Sequence, residues 1–102
     1  KAGINEKQII IDPGVGFGKT IKHNDEIIRN LSDIKALGFP VLIGLSRKSF
    51  LSFNNNKASD RLTSSLAFGS IAIKNGADIL RVHDINESIE VFSLTDRLVR
   101  KR

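Results

Sequence analysis

Three short apolar runs, each closed by polar or charged residues and each followed by a stretch of helical periodicity, constrain this chain more than anything else in it. Gln8 to Asp12 reads QIIID, a β-branched run closed by Pro13 and Gly14, which suits a strand buried on both faces. From Asn24, apolar residues recur at three and four positions (Ile27, Ile28, Leu31, Ile34, Leu37), and Gly38 with Pro40 predicts where that helix stops. Val41 to Leu45, VLIGL, repeats the strand theme and gives way to Ser46-Arg47-Lys48-Ser49 and a polar loop through Asn54 to Lys57. A second helix follows, capped by Ser59 or Asp60 and ended by Asn75-Gly76, with Ala67, Gly69, Ser70 and Ala72 permitting close packing on a sheet. Ile79 to Val82 is the third strand, and Asn86 to Arg102 the third helix, with Ile89, Phe92, Leu94, Leu98 and Val99 as its apolar face.

The order β-α-β-α-β-α with buried strands implies right-handed crossovers and a parallel sheet, as in an eight-stranded β/α barrel or a doubly wound fold. In both, ligands bind at the C-terminal ends of the strands. Those ends carry Asp12, then Ser46 to Ser49, then Arg81 and His83. At 102 residues, 40% hydrophobic and 26% charged, the chain is a soluble globular sequence of one domain at most, with a thin core. No apolar run approaches the roughly 20 residues that cross a bilayer, and the opening KAGINEKQ has no signal-peptide core. The first residue is not Met, so the chain is expected to begin in mid-protein or after processing. The absence of Cys excludes a thiolate nucleophile, a disulfide framework and a Cys-based metal site, and makes the reducing cytoplasm the expected location. A net charge of +5 would suit any anionic partner. Its densest block, Arg97, Arg100, Lys101 and Arg102, closes a helix where cations belong, and no nucleic-acid-binding signature accompanies it.

The segment DPGVGFGKT invites a phosphate-loop reading, but the spacing fails. A Walker A loop requires glycine where Pro13 stands, and the dinucleotide fingerprint requires one where Lys19 stands. What remains is a strand-end carboxylate, Asp12, beside a glycine loop that lets backbone approach a flat ligand, with Phe17 available to pack on it. That arrangement suits a donor-rich heterocycle. Arg47 and Lys48 between two serines read as an anion or carbonyl site or as solvated loop charge, and Ser49 as a contributor or a helix cap. Strand alternation sends Arg81 and His83 to one side, a fork and a second donor that fit a departing pyrophosphate. Asp84 orients or caps, and His23 is read as surface.

Taken in order, DPGVGFGKT, IGLSRKSF and GADILRVHD resemble dihydropteroate synthase, a pterin-binding β/α-barrel family, across nearly all of the chain. The resemblance implies a transferase of folate biosynthesis that joins p-aminobenzoate to 6-hydroxymethyl-7,8-dihydropterin pyrophosphate, releasing pyrophosphate, with sulfonamides as competitors. It implies that Asp12 holds the pterin amino and ring N–H groups, that Lys48 reaches the pterin carbonyl and ring nitrogen, that Arg81 lies across the pterin and touches phosphate, and that His83 binds pyrophosphate. Lys48, Arg81 and His83 are then the catalytic candidates. Gly16 and Phe17 would line the pocket, while Arg47 and Ser49 would shape the aminobenzoate side. Mg2+ would assist the leaving group, on ligands outside this segment.

The same resemblance implies that the three β-α units are the C-terminal part of a (β/α)8 TIM barrel, incomplete as it stands. Its sheet has open edges and cannot form a closed interior, so the chain alone is expected to be inactive. The remaining N-terminal part of the barrel is an expected partner, a homodimer the expected assembly, and neither nucleic acid nor membrane is expected to bind. Two alternatives stay open: the folate-binding module of a corrinoid methyltransferase, against which the RKS element argues, and a non-catalytic fragment whose strand edges pair with another subunit.

Overall fold

A computed structural model describes residues 9–16, 20–51 and 61–100, with Ser49 described by its backbone alone. Helices α1 (Ile21–Arg29) and α2 (Leu31–Lys35) lead into strand β1 (Leu42–Ile43) and a 3-10 turn (Ser49–Leu51). Helix α3 (Leu62–Lys74), strand β2 (Ile79–Leu80) and helix α4 (Ile85–Val99) follow. The fold is therefore α/β. Strands β1 and β2 pair in parallel, with Leu42 beside Ile79 and Ile43 beside Leu80. The QIIID segment joins them as a single parallel bridge, Ile11 to Val41, secured by Ile11 N–H to Pro40 O at 2.9 Å and Leu42 N–H to Ile11 O at 2.8 Å. The first expected strand is thus one rung rather than five residues, and Gln8 lies outside the described residues.

The register divides the sheet residues between two faces, because side chains alternate along each strand and partners in a parallel ladder point the same way. Ile11, Val41, Ile43 and Leu80 share one face, and Ile10, Asp12, Leu42, Gly44, Ile79 and Arg81 share the other. Helices cover the first. Val41 and Ile43 are fully buried there against Ile28 and Leu31 from α1 and α2, Ala72 from α3, and Phe50 and Leu51 of the 3-10 turn. The second face carries exposed Ile10 and Ile79 and, at its C-terminal end, the polar residues of interest. A two-faced apolar sheet with one face covered explains why the strands read as continuous apolar runs while part of their surface stays open.

Two helix boundaries depart from the sequence reading. Thr20, whose hydroxyl accepts the His23 N–H at 3.2 Å, starts α1 three residues ahead of Asn24. Asn30, at φ −106°, then breaks the expected single helix into α1 and α2, and Leu37 falls beyond the end of α2, 65% exposed. Helix α3 begins after Arg61 without a side-chain cap; the caps expected at Ser59 and Asp60 fall outside the described residues. On α4 the expected apolar face is only partly used. Phe92 packs on Gly69 of α3, and Thr95 shares a 2.9 Å hydrogen bond with Ser70, whereas Ile89, Leu94 and Leu98 are exposed. Among the described residues no helix is long and apolar enough to cross a membrane.

Candidate functional site

The loop after Ile11 is shaped by its own side chains. Asp12, exposed at the strand end, accepts the Gly14 N–H at 2.9 Å, a short Asx-type turn that leaves its second carboxylate oxygen outside that bond. Gly14 and Gly16 have φ of 74° and 88°, a region that L side chains rarely adopt. Between them Val15 is buried and anchors the loop in the core. Asn24 of α1, only 1% exposed, receives the Gly16 N–H at 2.8 Å and so fixes the loop from beneath. Phe17, expected to line the pocket, lies outside the described residues.

Lys48 crosses to this loop from the end of the β1 segment. Its ammonium donates to Val15 O at 2.6 Å, and its aliphatic stem lies so close to Gly16 that a Cβ there would sit 2.5 Å from Lys48 Cδ. Gly16 is therefore required twice, by its backbone angle and by the passing lysine. Burial pushes the Lys48 pKa below its ordinary value; the charge of Arg81 pushes the same way, and that of Asp12 opposes it. The lysine thus lies in the electrostatic reach of both the carboxylate of the first segment and the guanidinium of the third.

Arg81 follows β2, with its N–H bonded to Ile43 O at 3.0 Å. Its side chain turns back over β1: a Cβ on Gly44 would clash with the guanidinium, 2.8 Å from Cζ and closer still to Nη2. Gly44 is buried on an otherwise open face because of this cover. His83 is exposed, and its N–H donates to Ser46 Oγ at 3.2 Å, which ties the end of the third segment to that of the second. Asp12, Lys48 and Arg81 are thereby gathered at one end of one sheet face, with His83 two residues beyond Arg81.

Arg47 goes elsewhere. Its guanidinium forks onto the carboxylate of Asp84, Nε to Oδ2 at 3.0 Å and Nη2 to Oδ1. That pairing raises the Arg47 pKa and lowers that of Asp84. The two cations adjacent in sequence therefore serve different partners. Ser49 opens the 3-10 turn beside them. Three contributors were not singled out in the sequence reading as part of the site: Asn24, Gly44 and the Arg47–Asp84 pair. For Gly44 a signal existed, since glycine inside an apolar strand run marks a close approach. The others are contacts between residues 8 positions apart, Gly16 and Asn24, and 37 apart, Arg47 and Asp84.

At the opposite end of β2 a hollow of about 300 Å³ is lined by Asp78, Phe92, Asp96 and Arg100. Its charged groups are already paired, Asp78 with Lys35 at 2.7 Å and Arg100 with Asp96 at 3.5 Å and with Ala77 O, so it reads as a structural base. Among the described residues no group of three or more His, Asp or Glu side chains could hold a metal ion.

An Asp and a lysine on one glycine loop, with an arginine laid along the sheet and an exposed imidazole beyond, can seat a flat donor-rich ring at one end and an anionic group at the other. Residues 1–83 match the family described as pterin binding enzyme. The chain is 42% identical to the dihydropteroate synthase of Clostridium beijerinckii, over 98% of this chain and 38% of that protein. Its fold superposes on the crystal structure of the Clostridium difficile dihydropteroate synthase determined in the presence of pteroic acid, with a TM-score of 0.92 and 40% identity over 97% of this chain and 38% of that one. A Yersinia pestis dihydropteroate synthase in complex with a sulfonamide drug gives 0.90 and 36% identity over 94% of this chain and 35% of that one. The chain spans less than two fifths of the length of these relatives.

Proposed function

Because the chain belongs to the pterin-binding enzyme family, we propose that the protein carrying it is a dihydropteroate synthase, a transferase of folate biosynthesis. In this reading the three strand–helix segments are the C-terminal part of a (β/α)8 barrel, and the uncovered sheet face with Ile10, Leu42 and Ile79 is a sector of its interior. The remaining N-terminal part completes the site, and this chain alone is inactive. A homodimer in the cytoplasm completes the proposal.

The substrates are 6-hydroxymethyl-7,8-dihydropterin pyrophosphate and p-aminobenzoate. Asp12 accepts hydrogen bonds from the pterin amino and ring N–H groups; Lys48 donates to its carbonyl and ring nitrogen. Arg81 lies flat against the ring with its fork toward the phosphates, and His83 donates to the pyrophosphate. As the bond from the pterin methylene carbon to pyrophosphate oxygen breaks, the electron pair leaves with pyrophosphate. Arg81 and His83 stabilise that growing negative charge. The aminobenzoate nitrogen then bonds to the same carbon and loses its proton. Gly16 and Phe17 line the pterin pocket, and Arg47 and Ser49 bound the aminobenzoate side. Sulfonamides compete there. Any Mg2+ that assists departure would be held by residues outside this segment.

The observation that carries this reading is the position of Lys48, which reaches from the end of the second segment to Val15 O and past Gly16 in the loop that follows Asp12. Its test is dihydropteroate formation by the full-length protein. Lys48→Ala and Arg81→Ala are each expected to lower kcat/KM by about a hundredfold or more, the scale of removing a charged donor from developing charge. Near-normal rates in both would remove these residues from the chemistry.

A further inference from the structure

Arg47 is the one described non-glycine residue with a positive φ, 57°, a left-handed conformation that costs any side chain bearing a Cβ. Such a conformation persists when its surroundings fix it, and here they do so from three directions. The Arg47 N–H donates to Ser65 Oγ at 2.8 Å, and Ser65 is itself buried with its hydroxyl donating to Arg61 O at 2.7 Å. The Arg47 carbonyl accepts from Arg61 Nη1 at 3.0 Å. The guanidinium forks onto Asp84, whose side chain is only 11% exposed.

The residues on either side of this kink serve the site. Ser46 accepts the His83 N–H, and Lys48 reaches back to Val15 and past Gly16. The side chains of Ser46 and Arg47 therefore address the third segment, at His83 and Asp84, and that of Lys48 the first, with the left-handed turn at Arg47 between the two directions. Asp84 stands at the N-cap position of α4, where an aspartate ordinarily accepts a helix N–H, yet it makes no side-chain cap bond. Its carboxylate faces Arg47 instead.

Resting on the synthase reading above, we propose that Asp84 is a positioning residue: by holding Arg47 in its kink it sets where Lys48 and His83 meet the pterin pyrophosphate, without touching substrate itself. It follows that the charge of Arg47 is neutralised within the protein, leaving Lys48 and Arg81 as the rim cations that face the ligand.

The test is steady-state kinetics of the full-length protein with each substrate varied in turn. Asp84→Asn is expected to lower kcat/KM for dihydropterin pyrophosphate about tenfold or more, with a smaller rise in the KM for p-aminobenzoate, whose side Arg47 bounds. Asp84→Glu, which keeps the charge, recovers part of the loss. Arg47→Gly relieves the kink and removes the fork together, so the double variant Asp84→Asn with Arg47→Gly is expected to be no worse than the weaker single variant. Wild-type kinetics in Asp84→Asn would overturn the proposal, as would additive losses or a rise confined to the KM for p-aminobenzoate. So would a fall in Tm of more than about 10 °C in Asp84→Asn, which would make the pair a support of the fold. If the unaltered protein forms no dihydropteroate, the synthase reading fails and this proposal with it; an active protein indifferent to Asp84→Asn removes this proposal alone.

Discussion

At the scale of single residues, Gly44 shows how the backbone makes room for a long side chain. It stands on the open face of β1's segment, and the Arg81 guanidinium occupies the space where its Cβ would be. Gly44→Ala is therefore expected to lift Arg81 off the sheet and lower kcat/KM about tenfold or more, since small displacements of positioning groups carry large kinetic penalties. Far-ultraviolet circular dichroism should remain that of the parent; parental kinetics would show that Arg81 has another productive place. Asp12, Lys48, Arg81 and His83 were legible in the sequence because each follows an apolar run, where a polar group has no reason to be unless the strand has reached the rim. The Arg47–Asp84 pair was not. Its partners are 37 positions apart, and adjacency of Arg47 to Lys48 invited a shared role that the kink at φ 57° separates.

Among elements, α3 and α4 make the most intimate helix pair, and a glycine permits it. A Cβ on Gly69 would lie 2.5 Å from Phe92 Cε1 and closer to Cζ, with the Ser70–Thr95 hydrogen bond one residue further along. Gly69→Ala should overpack this contact and cost about 1–3 kcal/mol, measured as a lower denaturation midpoint at unchanged slope. A neutral or stabilising change would mean that Phe92 has another rotamer available. Helical periodicity placed all three helical regions, but not their details. The break at Asn30 is a local competition between an asparagine and the helix, and the exposed Ile89 and Leu98 belong to an α4 surface that the described residues do not cover. The strands came out shorter than the apolar runs. A ladder needs a neighbour on each side, and β2 has one on a single side among the described residues.

For the molecule as a whole, Asp78 ties the base of the sheet together. Its carboxylate accepts from Lys35 of α2 at 2.7 Å and from the Val41 N–H at 2.9 Å, and Arg100 beyond α4 approaches to 3.9 Å. Burial alone would push its pKa up, but Lys35, the Val41 amide and Arg100 together bring it below the ordinary aspartate value. A depressed carboxylate contributes stability that is present above its unfolded pKa and lost as pH falls through the folded one. Stability to urea should therefore decline from about pH 4 downward, and Asp78→Asn should flatten that decline while lowering stability at pH 7. An unchanged acid limb in Asp78→Asn would assign acid sensitivity to other carboxylates. Hub and rim lie at opposite ends of the same short sheet, which in the proposed reading keeps stability and chemistry apart. The central claim is that three strand ends serve one ligand. A crystal structure of the full-length protein with dihydropterin pyrophosphate tests it most directly: Asp12 and Lys48 should both hydrogen-bond the pterin ring while Arg81 lies against it and reaches phosphate. A ligand bound away from Gly44, contacting one of these three side chains or none, would contradict it.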